Sequence, residues 1–457
     1  MSLLTNLYRA IRVRAGALAA ALAALVRLAG IAVRASMGGR GSAGARIAAA
    51  LTAPGGQVLV FAVLRVFRPN LVIGRSLITA YPNTGTAIVT RYADVREVLA
   101  RDADFAVVYE PRMRMITGGR NFFLGMADTP DYTRDVSLMR LAMRREDIST
   151  VVAPFAASLA AELVAGKDGR IDVPQALSLR VPARLVGRYF GTPGPTERAM
   201  IDWTTTLFWY LFLDLKAAPA LGLRAREAAA ALRAYLGETI RARKVSGEAR
   251  DDVLGRCLAL QAADTPGADD TGIRDNLIGL LIGAVPTTSK AAVHALDALL
   301  DRPHALAGAA TAARADDDAG LAAYVFEALR FAPVNPVIYR RALRETVIAR
   351  STPRACTVPA GTMVLAANLS AMFDPRAIAA PDAFRIDRPW EDYILWGEGL
   401  HTCFGAHVNR VLIPAILKPL LAKAGLRRAP GTLGRIDSGG SPFPVHFVVE
   451  YDAQASA

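Results

Sequence analysis

Hydrophobic residues recur along most of this chain at the three- and four-residue spacing of a helix, and only short stretches alternate as strands do. Ala15 to Val26 is a continuous apolar run bounded by Arg14 and Arg27. Gly38 to Gly44 is rich in Gly and Ser and reads as a linker. Val58 to Ile73 is mostly apolar, punctuated by Arg65, Arg68 and Pro69. Thr86 to Thr90 predicts a strand and Ala93 to Ala100 a short helix, and Arg101 to Met126 reads as a long irregular segment. Beyond it the pattern predicts helices over residues 217–242, 275–300, 321–331 and 405–424. A β-rich stretch at 357–365 turns at Pro359-Ala360-Gly361, and a proline-bearing loop leads from Phe373 to Cys403. Pro286 interrupts the longest helix. A mid-helix proline lacks an N–H and crowds the preceding turn, at about 3 kcal/mol or more, so it predicts a helix opened there. The expected class is mainly α with a small β part.

Composition narrows this picture. A chain of 457 residues, 53% of them hydrophobic, has ample material for a large core and does not read as disordered. Its three cysteines, Cys257, Cys356 and Cys403, do not describe a disulfide framework, and the lack of a CxxC pair argues against structural zinc. The net charge of +13 is unevenly placed. Before Asp94 there is no acidic residue and no lysine, but there are eleven arginines, so the remainder carries about 13 − 11 = +2. These arginines sit largely in an alanine-rich leader rather than among aromatics on a folded face, which argues against nucleic acid. The leader is read as residues 1–57, ahead of one large domain at 58–450 and a short tail at 451–457. Its apolar run is shorter than the about 20 residues a membrane span needs. A surface helix, a targeting segment and a helix lying on anionic lipid all remain open for it. The expected location is the cytoplasm, with peripheral membrane contact by the leader as the alternative.

The stretch Trp396-Gly397-Glu398-Gly399-Leu400-His401-Thr402-Cys403-Phe404-Gly405 carries the chemistry. A thiolate bound to haem iron needs backbone N–H groups and a helix N-terminus near the sulfur. It also needs glycines where the chain passes close to the porphyrin. Gly397 and Gly399 allow a tight turn, His401 can donate to a propionate, and Gly405 allows close packing where a helix begins. This segment resembles the cysteine loop of the cytochrome P450 superfamily, Phe-x-x-Gly-x-His/Arg-x-Cys-x-Gly, with Trp396 in place of the phenylalanine. The resemblance implies the cytochrome P450 fold, haem b (iron protoporphyrin IX) as cofactor, and Cys403 as the iron ligand. A thiolate in that position donates electron density to the iron and favours O–O cleavage, a known property of this family.

Other motifs follow in the family's order. Glu327 and Arg330 are three apart on one helix face, and Arg388 fits the arginine that completes the family's structural triad. Arg340 matches a propionate-binding arginine, with Arg341 a near competitor. Ala127 to Arg134 resembles the start of a helix whose aromatic and arginine meet a propionate. Here those places hold Tyr132 and Val136, leaving Arg134 or Arg140 as substitutes.

The long helix departs from the family. Where an acid and threonines are usual, the chain has Pro286, Thr287 and Thr288. The resemblance implies an oxygen-handling role for Thr287. Pro286 leaves two readings open: a monooxygenase fed by a ferredoxin or flavodoxin partner, or a peroxygenase or fatty-acid hydroperoxide isomerase that needs none. A haem-binding sensor or electron carrier is the non-catalytic alternative, and a Cys403–His401 nucleophile pair lacks a third group to orient it. Phe122, Phe123, Phe208, Ile282 and Val285 are the expected pocket residues, pointing to a lipophilic substrate such as a fatty acid, terpenoid or steroid.

Overall fold

The computed structural model describes residues 3–38 and 42–452. Three helices open the chain: α1 (Leu3–Met37), α2 (Ala43–Thr52) and α3 (Pro54–Phe67). Gly39, Arg40 and Gly41 of the expected linker lie outside the described residues, and Ser42 caps α2 by accepting from Ala45 N–H at 3.2 Å. The apolar run read as Ala15 to Val26 is part of a much longer helix, because single arginines do not end a helix that alanine continues on both sides. Within the 27-residue stretch Ile11–Met37 an 18-residue window reaches a mean hydropathy of 2.1, so by length and composition it can cross a membrane, contrary to the shorter estimate from the run alone. The expected leader boundary at residue 57 falls inside α3, not at a linker.

Five strands make the main sheet, in the order Asn70–Ile73, Thr86–Val89, Met363–Ala366, Ile338–Ala342, Phe105–Ala106. Thr86–Val89 runs parallel to Met363–Ala366 and the other pairings are antiparallel. The segment 101–126 is not irregular throughout: it holds the edge strand Phe105–Ala106 and the helix Glu110–Thr117. Gly118, in a left-handed conformation with φ 88°, ends that helix. At the C-terminus Tyr451 is buried and donates to Lys167 O at 3.1 Å, so the expected tail starts within the packed body, and 453–457 lie outside the described residues.

The helical part is built around Asp270–Leu300, which Asp269 caps by accepting from Gly272 N–H at 2.9 Å. It packs against the helices Glu197–Phe208, Pro219–Ser246, Asp318–Phe331 and Ala406–Leu421. The break expected at Pro286 does not occur: the helix runs unbroken from Asp270 to Leu300. The ring removes one ladder N–H, while the Thr287 hydroxyl donates to the Gly283 carbonyl one turn back. Tertiary packing holds the helix where propensity would open it.

Glu327 and Arg330, on the Asp318–Phe331 helix, are wholly buried. Arg330 binds the Glu327 carboxylate with both Nε (3.0 Å) and Nη2 (2.7 Å), and Arg388 Nε adds a third contact at 3.2 Å. Tyr393 O–H and the Arg385 backbone N–H also donate to it, at 3.1 and 3.0 Å. The remaining guanidinium N–H groups hold carbonyls of Met372, Ala379, Ala380 and Ala383. Every partner lies on the segment that leads into the Cys403 loop.

Removing the carboxylate leaves two buried guanidinium groups facing each other. Glu327→Ala is expected to cost at least about 3–5 kcal/mol in chemical denaturation, and Tyr393→Phe, which removes one neutral donor, about 1 kcal/mol. A Glu327→Ala loss no larger than that of Tyr393→Phe would show that the triad does not hold the loop.

Candidate functional site

A cavity lies between the Asp270–Leu300 helix and the Cys403 loop. The loop is fixed by its own backbone. Cys403 N–H donates to Trp396 O at 2.8 Å, Gly397 and Gly399 have φ of 74° and 75°, and a Cβ at Gly399 would sit 2.6 Å from Leu99 O. Gly405 needs no such freedom. Its φ is −82°, and an added Cβ would meet Asn409 at an ordinary 3.5 Å, so what its small size leaves open is the cavity it lines. Trp396 also lines the cavity, stacked on Trp390 at 5.0 Å and edge-on to Phe326 at 5.3 Å.

Cys403 is open to the cavity yet surrounded by protein beyond it, so its sulfur is reached from within. Burial pushes its thiol pKa up, and the Gly405 N–H opposes that shift. A thiolate here therefore needs a cation at the sulfur.

Across the cavity floor stand two buried nitrogen bases. Burial, then Arg340, pushes the His401 imidazole down to about 4, so it is neutral at neutral pH. Its Nδ1 is buried without a hydrogen-bond partner. Arg340 is 2% exposed; its Nη1 donates to Tyr339 O at 3.0 Å, and its Nε is likewise buried and unpartnered. Burial lowers its pKa, with Tyr109 and Asp102 opposing. Arg341, its competitor, is excluded by strand alternation: on Ile338–Ala342 it faces away, into a separate surface hollow.

Tyr132 does not line the cavity. Its hydroxyl donates to Leu400 O at 2.7 Å and its ring packs edge-on to His401 at 5.7 Å, so it steadies the loop from behind. Neither expected substitute reaches the cavity: Arg134 pairs with Asp131 and Asp135, and Arg140 is exposed.

From the opposite wall Thr287 and Thr288 line the cavity. Thr288 O–H donates to Asn409 Oδ1 at 2.9 Å, tying the long helix to the helix that follows Cys403. Pro286 is buried outside the cavity, because the helical turn points it away. Among the described residues no Asp or Glu lines the cavity. Phe123, Phe208 and Ile282 line it as expected, whereas Phe122 and Val285 do not. Phe122 fills the space left by Gly279, where a Cβ would sit 2.2 Å from its ring, and Val285 faces the core on the far side of the helix. Sequence reasoning missed Asn409, Asn335 and Tyr393. Asn335 lines the cavity with its Oδ1 buried and unpartnered. None of the three belongs to a local motif that could have flagged it.

No protein-family model matches the chain. It is 29% identical over 350 residues to the beta-dihydromenaquinone-9 omega-hydroxylase of Mycobacterium tuberculosis, covering 75% of this chain and 66% of that protein, just under two thirds of its length. It is 29% identical over 318 residues to the cytochrome P450 monooxygenase PikC of Streptomyces venezuelae, covering 67% of this chain and 70% of that protein. A bifunctional dioxygenase–epoxy alcohol synthase of Fusarium oxysporum is 24% identical over 393 residues, or 77% of this chain and 30% of that protein. Among solved structures, the open cytochrome P450 EryK of S. erythraea superposes with a TM-score of 0.71 at 23% identity, covering 89% of this chain and 99% of that one. The chain has the cytochrome P450 fold, and the relatives it resembles in sequence include members of that superfamily. The cofactor of that superfamily is haem. The cavity fits it: a largely apolar space has a sulfur on one wall and, at its edge, buried and unpartnered nitrogen atoms on Arg340 and His401 suited to two carboxylates.

Arg340 is a buried cation without a carboxylate partner in the haem-free protein. Arg340→Leu is therefore expected to stabilise the haem-free form, on the order of 1–4 kcal/mol, while weakening haem retention. Thermal melts with and without haem, read beside haem loss to an acceptor protein, check both signs. Destabilisation of both forms alike would show that the guanidinium serves the fold and not the cofactor.

Proposed function

We propose that this chain is a haem-thiolate monooxygenase that inserts one oxygen atom into a lipophilic small molecule of fatty-acid, terpenoid or steroid type. One observation carries the reading. A cysteine, two threonines and a buried Arg–His pair face a single cavity whose other walls are largely apolar, with Asn335, Asn368 and Asn409 as further polar side chains. In this reading Cys403 is the iron ligand, and Arg340 and His401 hold the propionates. Trp396 shields the sulfur, and the glycines at 397 and 405 give the cofactor room. Bound haem would supply the oxidising chemistry, in which dioxygen, two electrons and two protons give one inserted oxygen atom and one water.

The chain's own residues do the rest. The Gly405 N–H polarises toward the sulfur and favours its anionic form. Phe123, Phe208 and Ile282 exclude water and hold an apolar substrate against the reacting face. Thr287 and Thr288 line the cavity from the long-helix wall, and Thr287 is assigned to hold and pass protons. Electrons come from a ferredoxin or flavodoxin partner. The hydroxylase and monooxygenase activities of the mycobacterial and Streptomyces relatives support the oxygenase class. The enzyme is placed in the cytoplasm, with its N-terminal helices as the part that meets a membrane.

A second reading rests on a specific feature. With Pro286 in the acid's place and no carboxylate on the cavity wall among the described residues, a peroxide or lipid hydroperoxide would need fewer proton transfers than dioxygen. The match to a fungal epoxy alcohol synthase points the same way.

Purified protein supplied with a lipophilic panel, surrogate redox partners, NADPH and oxygen is expected to turn over, and Thr287→Ala to lose at least about tenfold of product per electron. Cys403→Ser is expected to lose the thiolate-type carbon monoxide spectrum together with all turnover. Fast turnover with peroxide or lipid hydroperoxide alone, unaffected by the electron donors, would replace the first reading with the second. Haem and carbon monoxide binding with no turnover under any oxidant would make the protein a sensor or carrier.

A further inference from the structure

We propose that the groove between α1, α3 and the segment Phe373–Asp382 binds the phosphate headgroup of an anionic membrane phospholipid, with the outer face of α1 lying on the lipid beside it. This deepens the membrane part of the function proposed above and is independent of the reaction. The groove is distinct from the haem cavity and has a volume of about 1180 Å³, room for a headgroup and the start of its acyl chains.

Six arginines line it: Arg12, Arg14, Arg65, Arg91, Arg354 and Arg376. Two of them are answered by carboxylates, Arg354 by Asp94 at 2.8 Å and Arg376 by Asp374 at 3.5 Å. The other four have no carboxylate partner among the described residues. Arg65 donates to the carbonyl and hydroxyl of Ser370, Arg91 Nε donates to Arg65 O, and Arg12 and Arg14 are exposed. The one further acid on the groove is Asp382, so positive charge is in excess. Burial, then Arg376, lowers the Arg91 pKa, with Asp374 and Asp94 opposing and Arg354 adding to the shift. Guanidinium groups suit a phosphate because their planar forks bind two oxygens at once.

The walls are apolar as well as basic. Val13, Ala17, Val58 and Phe61 line the groove, as a lipid's glycerol and upper chains would require. The far wall is preformed, since the carbonyls of Ala379 and Ala380 are held by Arg388 of the buried triad.

What lies beside the groove identifies the partner as a membrane. Ile11, Leu18, Leu22, Leu25, Val26 and Val33 are all exposed on α1, and their spacing of three, four and seven puts them in one stripe. Val26 is 74% exposed. The opposite face is alanine, with Ala17, Ala21 and Ala24 buried, which lets α1 lie close against α3. A helix seated on the body by one face and bare on the other presents its apolar stripe to a surface.

The test uses the haem-loaded full chain and vesicles of phosphatidylcholine alone or mixed with phosphatidylglycerol, read by co-sedimentation. The expected result is a preference for the phosphatidylglycerol vesicles that falls with salt. Arg12→Gln/Arg14→Gln/Arg91→Gln is expected to lose it by about tenfold or more. The triple variant Arg198→Gln/Arg241→Gln/Arg250→Gln, with as many charges removed from other exposed positions, should keep it. If Arg91→Gln disturbs folding, the exposed pair Arg12→Gln/Arg14→Gln carries the test with a smaller loss. Equal losses in the groove and control variants, or an unchanged preference in the groove variant, would overturn the headgroup site. Equal binding to both vesicle types would leave membrane contact standing on the apolar stripe alone and the groove without a role. Binding to neither would remove the membrane reading altogether.

Discussion

The Glu327 carboxylate is the point from which the cysteine loop is suspended. It is wholly buried and accepts from two guanidinium groups, one phenol and one backbone N–H. Taken alone, such a cluster is poor support for stability, because desolvating three charges costs several kcal/mol per ion before any attraction is counted. What it provides is position. The segment between Met372 and Tyr393 has little regular structure of its own, and its carbonyls are fixed because Arg330 and Arg388 donate to them. The stack of Phe326, Trp390 and Trp396 then carries that fixed geometry to the residue that opens the Cys403 loop.

The long central helix shows how a fold tolerates a residue that local chemistry disfavours. Pro286 removes a ladder donor in the middle of a long, largely buried helix, yet the helix does not break. Neighbouring helices enclose it, and the Thr287 hydroxyl serves a carbonyl near the gap. Thr287 also lines the cavity, so a residue tethered to the helix backbone is one of the few polar groups facing the cofactor space. Thr288 is tied to Asn409 on the helix that begins after the cysteine, which couples the two walls of the site.

Arginine serves this protein in two unlike settings. In the cavity Arg340 is almost fully buried and makes no ion pair with a carboxylate among the described residues, an arrangement that makes sense when an anion arrives from outside the protein chain. At the N-terminus the guanidinium groups crowd along an open groove next to an apolar stripe. The acid-free composition ahead of Asp94 means that no nearby side chain of that stretch can neutralise them.

The sequence by itself determined what depends on local spacing. The helices over residues 217–242, 275–300, 321–331 and 405–424 follow from hydrophobic period, and the cysteine loop follows from glycines placed around Cys403. The pair Glu327 and Arg330 follows from its three-residue spacing on one helix face. Only the tertiary structure decided what depends on direction. It put Arg340 rather than Arg341 into the cavity, because alternate strand residues face opposite sides. It turned Phe122, Val285 and Pro286 away from the cavity, and it converted Tyr132 from a cofactor contact to a prop behind the loop. It brought in Asn335, Asn409 and Tyr393, which are distant in the chain from the groups they meet and carry no local signature. It also gathered the N-terminal arginines with Arg354 and Arg376 into one groove. Spacing along a chain fixes which residues share a helix face or a strand side; which of those faces turns toward the cavity is set by packing between elements far apart in sequence.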